Sequence, residues 1–131
     1  MLYLDSSAIV KLVTREPGTP ELVEAVRTEP EIVSSALAWT EVVRAVRSSG
    51  GRPTRAEAVL ERIALVPIDA GITRSAARLS PAGLRTLDAI HLATALSLAD
   101  DVAALVTYDA RLAEAAAKEG LEVRAPGPEP V

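Results

Sequence analysis

The 131-residue chain contains no cysteine, no phenylalanine, one tryptophan and one histidine. Because cysteine is absent, a disulfide framework, a thiolate metal site and a cysteine nucleophile are all excluded, and a reducing compartment fits the composition. A single histidine does not provide the ligand spacing of a zinc site. The scarcity of aromatic residues, set against a high alanine content, favours helices that pack closely through small side chains.

The chain also lacks an apolar run long enough to cross a bilayer, and its first residues lack the basic segment of a secretory signal. We therefore expect a cytoplasmic protein without membrane association. The formal net charge of −4 argues against nucleic-acid binding through a general positive field. Most cations are arginines, which suit local, bidentate phosphate contacts. Four of them lie close together in sequence, although a solvated helix face explains them more simply: Arg44, Arg47, Arg52 and Arg55.

Short apolar runs alternate with segments of helical periodicity along the chain. Strands are predicted at residues 2–4, 32–34, 65–68, 104–106 and 121–123. Helices are predicted between them, at residues 8–14, 19–28, 36–47, 54–64, 70–79, 84–99 and 112–118. This alternation predicts a three-layer α/β/α fold, in which helices cover both faces of a five-stranded parallel sheet. We expect one domain over residues 1–124 and a proline-rich, disordered tail over residues 125–131.

Capping residues mark the starts of several predicted helices. Asp69 and Asp109 each precede a helix and can accept hydrogen bonds from its first amides. The proline in the third strand indicates a position at the edge of the sheet. Further candidate N-caps are Ser6 or Ser7, Ser35, and Thr54, which forms a capping-box pattern with Glu57.

The helix predicted at residues 84–99 organises the chain. It is apolar on most faces, so we expect it to lie inside the domain. Asp88 nevertheless lies within it, and His91 follows one turn later on the same side. A buried carboxylate needs a partner or a metal ion, so Asp88 either pairs with Arg85 at a solvated edge or belongs to a metal site. His91 is interpreted as a hydrogen-bonded packing residue rather than a metal ligand.

Three further acidic residues occupy positions at which parallel sheets build functional sites. Asp5 ends the first strand, Asp109 follows the fourth, and Glu41 lies one turn into the helix after the second. Because ligands bind at the carboxyl ends of parallel strands, we expect these residues to meet Asp88 at one edge of the sheet. Converging carboxylates stay ionised only where a cation or solvent separates them. All-oxygen ligands suit Mg²⁺ or Mn²⁺, which promote phosphodiester hydrolysis by activating water.

Each of these residues also has a simpler structural interpretation. Asp5 and Asp109 are suited to helix N-caps, and a solvated side chain is the default for Glu41. The hydroxyl groups of Ser6 and Thr107 lie near the same predicted edge, where hydrogen bonding within a turn would account for them. The metal-site hypothesis therefore depends on the whole set of residues rather than on any one of them.

Together these residues resemble the motifs of the PIN-domain ribonucleases, and most closely the VapC toxins of bacterial and archaeal toxin–antitoxin pairs. Tyr-Leu-Asp-Ser-Ser-Ala at residues 3–8 looks like the first motif, and Thr-Glu-Val at residues 40–42 is similar to the second. Leu-Arg-Thr-Leu-Asp-Ala-Ile-His-Leu-Ala-Thr-Ala at residues 84–95 is the strongest match. Val-Thr-Tyr-Asp at residues 106–109 resembles the fourth motif, and the resemblance covers residues 1–124.

The resemblance implies a PIN-like fold and a metal-dependent chemistry. Asp5, Glu41, Asp88 and Asp109 would form an acidic cluster for Mg²⁺ or Mn²⁺, with Asp5, Asp88 and Asp109 as metal ligands. The enzyme would cut RNA, often tRNA or ribosomal RNA, with metal-activated water. The resemblance also implies a homodimer, and a small antitoxin protein that inserts a segment near the site and binds operator DNA. Candidates for supporting the cluster or contacting RNA are Ser6, Arg85 and Thr107.

Two alternative functions remain compatible with the pattern. A receiver-type phospho-acceptor domain has the same alternation of elements, and its phosphorylated residue here would be Asp69. Such a domain requires a second acid beside Asp5, where Ser6 and Ser7 stand, and a lysine where Arg124 ends the fifth strand. A phosphatase with an Asp-x-Asp nucleophile fails similarly at Ser7. The other alternative is a PIN fold that binds a partner without cleaving RNA.

Overall fold

A parallel β-sheet forms the middle layer of the molecule. The computed structural model describes residues 1–127. Within this range the strands are β1 (Leu2–Leu4), β2 (Ile32–Ser35), β3 (Ala64–Val66), β4 (Ala104–Val106) and β5 (Val123–Arg124). Their order across the sheet is β3-β2-β1-β4-β5, and every neighbouring pair is parallel. The prediction of a five-stranded parallel sheet with its third strand at an edge is confirmed.

Helices cover both faces of this sheet. They are α1 (Ser6–Thr14), α2 (Thr19–Arg27), α3 (Leu37–Ser48), α4 (Pro53–Leu60), α5 (Ala70–Arg78), α6 (Thr86–Ser97) and α7 (Ala110–Lys118). Helices α1 to α4 pack with Leu2 and Leu4 on one face, whereas α6 and α7 pack with Tyr3 on the other, and α5 packs against α6. The side chains of successive residues in β1 therefore pack against helices on opposite faces of the sheet, as the two-residue period of a strand requires. The three-layer prediction is confirmed.

Three helices, α1, α4 and α7, begin earlier than predicted. The N-cap of α1 is Asp5, as the simpler interpretation of that residue predicted, and not Ser6 or Ser7. The Asp5 carboxylate accepts a hydrogen bond from the amide of Ala8 at 3.0 Å. The capping-box prediction at Thr54 is wrong. Helix α4 begins at Pro53, whose fixed φ suits a first helical turn, and it has no side-chain capping bond.

The other capping predictions hold more closely. Asp69 caps α5 through the amide of Ile72 at 2.8 Å, and Asp109 caps α7. Ser35 lies one residue before the N-cap of α3, yet its hydroxyl oxygen accepts a hydrogen bond from the amide of Leu37 at 3.1 Å. The central helix α6 is shorter than the predicted segment 84–99 at both ends.

The strand order excludes the receiver-type alternative. Receiver domains have the order 2-1-3-4-5, with the third strand at the centre of the sheet. Here β3 is an edge strand, two positions away from β1. Asp69 follows this edge strand, and one of its carboxylate oxygens is used to cap α5. The hypothesis that Asp69 is a phospho-acceptor is therefore wrong.

The chain after β5 is described as far as Gly127. Here the Tyr108 hydroxyl donates a hydrogen bond to the carbonyl of Pro126. Residues 128–131 of the predicted tail lie outside the described residues, so the domain boundary at residue 124 and the disorder of the tail stay predictions. Among the helices of residues 1–127, none combines the length and apolarity needed to cross a membrane.

Candidate active site

Three of the four predicted acidic residues follow neighbouring strands at their carboxyl ends. Asp5 comes directly after β1, and Asp109 lies three residues beyond β4. Glu41 lies in α3, the helix that follows β2, and Asp88 lies in the first turn of α6. Because β2, β1 and β4 are adjacent and parallel, their carboxyl ends share one edge of the sheet. This edge is the position at which parallel sheets form functional sites.

Asp5 is almost fully buried and held by three hydrogen bonds. Its carboxylate accepts from the hydroxyl of Thr107 at 2.6 Å, the hydroxyl of Ser7 at 2.7 Å and the amide of Ala8 at 3.0 Å. Burial raises the pKa of Asp5, because the charged form is removed from water, and these hydrogen bonds only partly offset the effect. Asp5 is therefore both a helix cap and an energetically costly buried acid.

Thr107 links Asp5 to Asp109. Its hydroxyl donates to Asp5 and, through its oxygen, accepts from the amide of Asp109 at 3.1 Å. One oxygen of Asp109 accepts from the amides of Arg111 at 2.9 Å and Leu112 at 3.1 Å, which makes Asp109 the N-cap of α7. The other oxygen remains available for a charged partner.

That partner is Arg85. Its guanidinium donates to Asp109 at 2.8 Å and to Asp88 at 3.1 Å. The ion pair between Arg85 and Asp88, raised as one interpretation of the sequence, is thus present, and it extends to a second carboxylate that is distant in sequence. The hydrogen bond and the charge of Asp88, followed by the charge of Asp109, raise the pKa of Arg85. Asp88 and Asp109 therefore already share one positive group.

Glu41 is held at a separate point of the same edge. Its Oε1 atom accepts from the hydroxyl of Ser6 at 2.6 Å and lies 2.8 Å from Nε2 of His91. Burial raises the pKa of Glu41, but the hydrogen bonds to His91 and Ser6 and the charges of His91 and Arg85 outweigh burial, so the net pKa is lowered. Glu41 is thus ionised at neutral pH, and a solvated side chain with no partner does not describe it.

The donor set suits Mg²⁺ or Mn²⁺ in its chemistry. All four acidic side chains offer carboxylate oxygens, which these ions prefer, and the Arg85 guanidinium stands in as a cation between Asp88 and Asp109. Across residues 1–127, no three acidic or histidine side chains converge closely enough in this arrangement to hold an ion. The ligand set Asp5, Asp88 and Asp109 therefore stays a prediction.

Two residues at the site were missed by the sequence analysis. The hydroxyl of Ser7 donates to Asp5 and accepts from the amide of Tyr108 at 3.1 Å. The Tyr3 hydroxyl lies 2.8 Å from Nδ1 of His91. A signal was present in the second case, because a tyrosine in a fully buried strand needs a hydrogen-bond partner for its hydroxyl. The sequence did not indicate which residue would supply it.

Comparison with known proteins identifies the family. Residues 2–118 match the family model of the PIN domain. The chain belongs to the PIN-domain family. The resemblance inferred from the four motifs is confirmed, and the matched residues include Asp5, Glu41, Asp88 and Asp109.

This PIN-domain chain is similar over nearly its whole length to named ribonucleases of Mycobacterium tuberculosis. It is 47% identical over 126 residues to ribonuclease VapC46, covering 95% of this chain and 97% of that protein. It is 44% identical over 133 residues to ribonuclease VapC35, covering 97% and 98% respectively. Both relatives are VapC ribonucleases. PIN-domain ribonucleases generally depend on divalent metal ions.

Solved structures confirm the PIN-like fold. The crystal structure of VapC20 from Mycobacterium tuberculosis, described as a sarcin–ricin loop cleaving toxin, superposes with a TM-score of 0.74 at 13% identity. This match covers 96% of this chain and all of that chain. A chain of a toxin–antitoxin complex from Klebsiella pneumoniae gives a TM-score of 0.66 at 21% identity, covering 86% and 90%. At these identities the likeness concerns the fold alone.

Proposed function

We propose that this chain is a divalent-metal-dependent endoribonuclease that acts as the toxin of a toxin–antitoxin pair. The observation that carries the proposal is the arrangement of Asp5, Glu41, Asp88 and Asp109 at one edge of the sheet, in a chain 47% identical to a named VapC ribonuclease. An acidic site with few positive groups is poorly suited to binding RNA phosphates by itself. Such a site becomes suitable when a divalent ion neutralises the carboxylates.

Three aspartates are proposed as the metal ligands. Asp5, Asp88 and Asp109 would hold Mg²⁺ or Mn²⁺ through carboxylate oxygens. When bound, such an ion polarises a phosphoryl oxygen and lowers the pKa of a water molecule. Thr107 supports this set because its hydrogen bond to Asp5 fixes the orientation of a carboxylate that would otherwise be buried with fewer donors.

Two further groups act on the substrate in this proposal. Glu41, kept ionised by Ser6 and His91, accepts a proton from the attacking water as a general base. Arg85 has a largely exposed side chain that can contact an RNA phosphate once it is released from Asp88 and Asp109. The reaction is hydrolysis of a phosphodiester bond. The water oxygen forms the new bond to phosphorus, the bond from phosphorus to the ester oxygen of the leaving nucleotide breaks, and that oxygen takes up a proton from solvent.

The substrate and partners follow from the same proposal. VapC20, which has the same fold, is described as a sarcin–ricin loop cleaving toxin, and another chain with this fold belongs to a toxin–antitoxin complex. By analogy, the substrate here is proposed to be structured cellular RNA, either tRNA or ribosomal RNA, and the inhibitor a small antitoxin protein. A homodimer and a cytoplasmic location complete the proposal and await measurement.

Cleavage of total RNA by the purified chain tests the enzymatic part. We expect discrete products with Mg²⁺ or Mn²⁺, none with EDTA, and none from Asp88→Asn in either condition. Asp69→Asn is the matched control, since it makes the same chemical change at a helix cap away from the site, where asparagine caps equally well. Sequencing the product ends would then identify the RNA. A folded wild-type chain that cuts no RNA with either metal ion would favour the alternative of a non-cleaving PIN fold.

The toxin–antitoxin part has its own test. A short reading frame beside the gene, encoding a DNA-binding protein, is expected to produce a protein that copurifies with this chain and suppresses its cleavage activity. Co-expression followed by size-exclusion chromatography also measures whether the complex contains one or two copies of the chain. Full cleavage activity in a stable complex would contradict the role of an inhibitor.

A further inference from the structure

The only histidine of the chain lies in a buried series of hydrogen bonds that ends at Glu41. Its side chain is 2% exposed and contacts Tyr3 in β1 and Glu41 in α3. Nδ1 of His91 is 2.8 Å from the Tyr3 hydroxyl, and Nε2 is 2.8 Å from Oε1 of Glu41. Tyr3 lies 88 positions before His91 in the sequence, and Glu41 lies 50 positions before it. The imidazole therefore connects three separate elements, β1, α3 and α6.

The proton positions in this series are constrained at Glu41. The lowered pKa of Glu41 keeps it ionised, so its oxygens accept hydrogen bonds and cannot donate them. An unprotonated Nε2 would place a nitrogen lone pair 2.8 Å from a carboxylate oxygen, which is repulsive. Nε2 therefore carries a proton that it donates to Glu41. On the other side of the ring, the Tyr3 hydroxyl engages Nδ1 and fixes the ring plane.

Both donors to Glu41 bind the same oxygen. Ser6 and His91 each contact Oε1, whereas Oε2 makes no hydrogen bond with any group of residues 1–127. The Glu41 side chain is 24% exposed, so water can reach it. A glutamate on a helix surface normally samples several rotamers, and fixing one costs side-chain entropy. Here the buried imidazole and the serine hydroxyl oppose that freedom and leave one oxygen available.

We propose that His91, held by Tyr3, is a positioning residue that fixes Glu41 through Oε1 and leaves Oε2 free to act on the substrate water. This inference rests on the proposed function, because it concerns the glutamate assigned there as the general base. It differs from a packing role in one respect. Packing requires only the volume of the imidazole, whereas positioning requires a donor at the place of Nε2.

Two conservative substitutions separate these roles. The amide nitrogen of His91→Gln lies near the place of Nε2, whereas that of His91→Asn lies near the place of Nδ1. We expect His91→Gln to retain kcat within a few-fold, and His91→Asn to lose kcat by about 10- to 100-fold with little change in KM, the range seen when a group that orients a catalytic ligand is removed. Leu92→Ala is the control for a general disturbance of the same helix, because Leu92 is fully buried beside His91.

A second measurement does not require activity. Because the chain has one histidine, ¹⁵N-histidine labelling gives the resonances of a single imidazole. In the wild-type protein we expect an exchange-protected proton on Nε2 that shifts in Glu41→Gln, and an Nδ1 resonance that shifts in Tyr3→Phe. These spectra can be recorded even if the chain cuts no RNA, so failure of the proposed function is distinguishable from failure of this inference.

The inference would be overturned by either of two results. One is a wild-type spectrum in which Nε2 carries no proton, or in which its resonance is unaffected by Glu41→Gln. The other is a loss of kcat that simply follows the loss of stability in His91→Gln, His91→Asn and Leu92→Ala, with no additional loss in His91→Asn. If His91→Asn fails to fold, Tyr3→Phe replaces it in the kinetic comparison, with a smaller expected loss in kcat.

Discussion

Replacing Asp5 with asparagine should abolish RNA cleavage while leaving the fold nearly as stable as before. Asparagine caps a helix as well as aspartate, and its single oxygen can still accept from Ser7 and Ala8. It loses the acceptor that faces Thr107, a hydrogen bond to a charged group worth about 1.5–3 kcal/mol. It also removes a buried charge whose desolvation opposes folding. Since the two effects have opposite signs and similar size, we expect a net change within about 1 kcal/mol.

Asp5→Ala supplies the comparison. Alanine removes the cap and leaves the hydroxyl of Thr107 and the amide of Ala8 without their acceptor. The expected loss is about 2–4 kcal/mol, or roughly 10 °C in Tm for a domain of this length. Urea denaturation of the metal-free proteins measures both differences. If Asp5→Asn proved as unstable as Asp5→Ala, the claim that relief of desolvation offsets the lost hydrogen bond to Thr107 would be refuted.

The pH dependence of stability gives a separate check on Asp5. Its pKa is raised above the ordinary value of 3.8, so the folded state binds the proton more tightly than the unfolded state. The stability contributed by protonated Asp5 is complete below the unfolded pKa and is lost as pH rises through the folded pKa. With EDTA present, Asp5→Asn should therefore gain stability relative to wild type over that window. A relative loss with rising pH would contradict the raised pKa.

Three further substitutions test other parts of the molecule. Arg85→Gln removes the positive group shared by Asp88 and Asp109, so calorimetry should show that Mn²⁺ binds several-fold more tightly than to the wild type. Arg85→Lys keeps the charge, and its affinity for Mn²⁺ should be closer to that of the wild type. An unchanged affinity in Arg85→Gln would mean that Arg85 does not compete with the ion. Leu92→Ala truncates a fully buried side chain and should cost about 2–5 kcal/mol in urea denaturation, while the folded fraction keeps its cleavage rate. Asp69→Ala removes the N-cap of α5 and should cost about 1 kcal/mol; any loss of cleavage there would contradict the assigned site.

Local signals in the sequence predicted most of the fold. The run over residues 2–4 is apolar on both faces, which is typical of a strand between two helical layers, and β1 is that strand. Asp69 and Asp109 were predicted as caps because the groups they satisfy lie two or three residues away. The capping box at Thr54 failed for a related reason. Pro53 offered a competing helix start one residue earlier. Both signals are local, and the sequence alone did not show which of the two would begin the helix.

The positions of the four acidic residues at one edge of the sheet were predicted from the sequence, but the hydrogen bonds that hold them there were not. Asp5, Glu41, Asp88 and Asp109 could be assigned to one edge because strand ends in a parallel sheet share it. Which oxygen accepts from which donor could not be assigned, because Thr107 and Asp5 are 102 residues apart. The same applies to Arg85, whose nearby partner was foreseen and whose distant partner was not.

The sequence by itself determined the alternation of strands and helices, the caps at Asp69 and Asp109, and the family to which the chain belongs. These features depend on contacts within about four residues or on motifs that are contiguous in sequence. Only the tertiary structure decided that Arg85 joins two carboxylates and that His91 connects Tyr3 to Glu41. The reason is physical, since a hydrogen bond between distant residues forms only where the packing of whole helices brings a donor within about 3 Å of an acceptor.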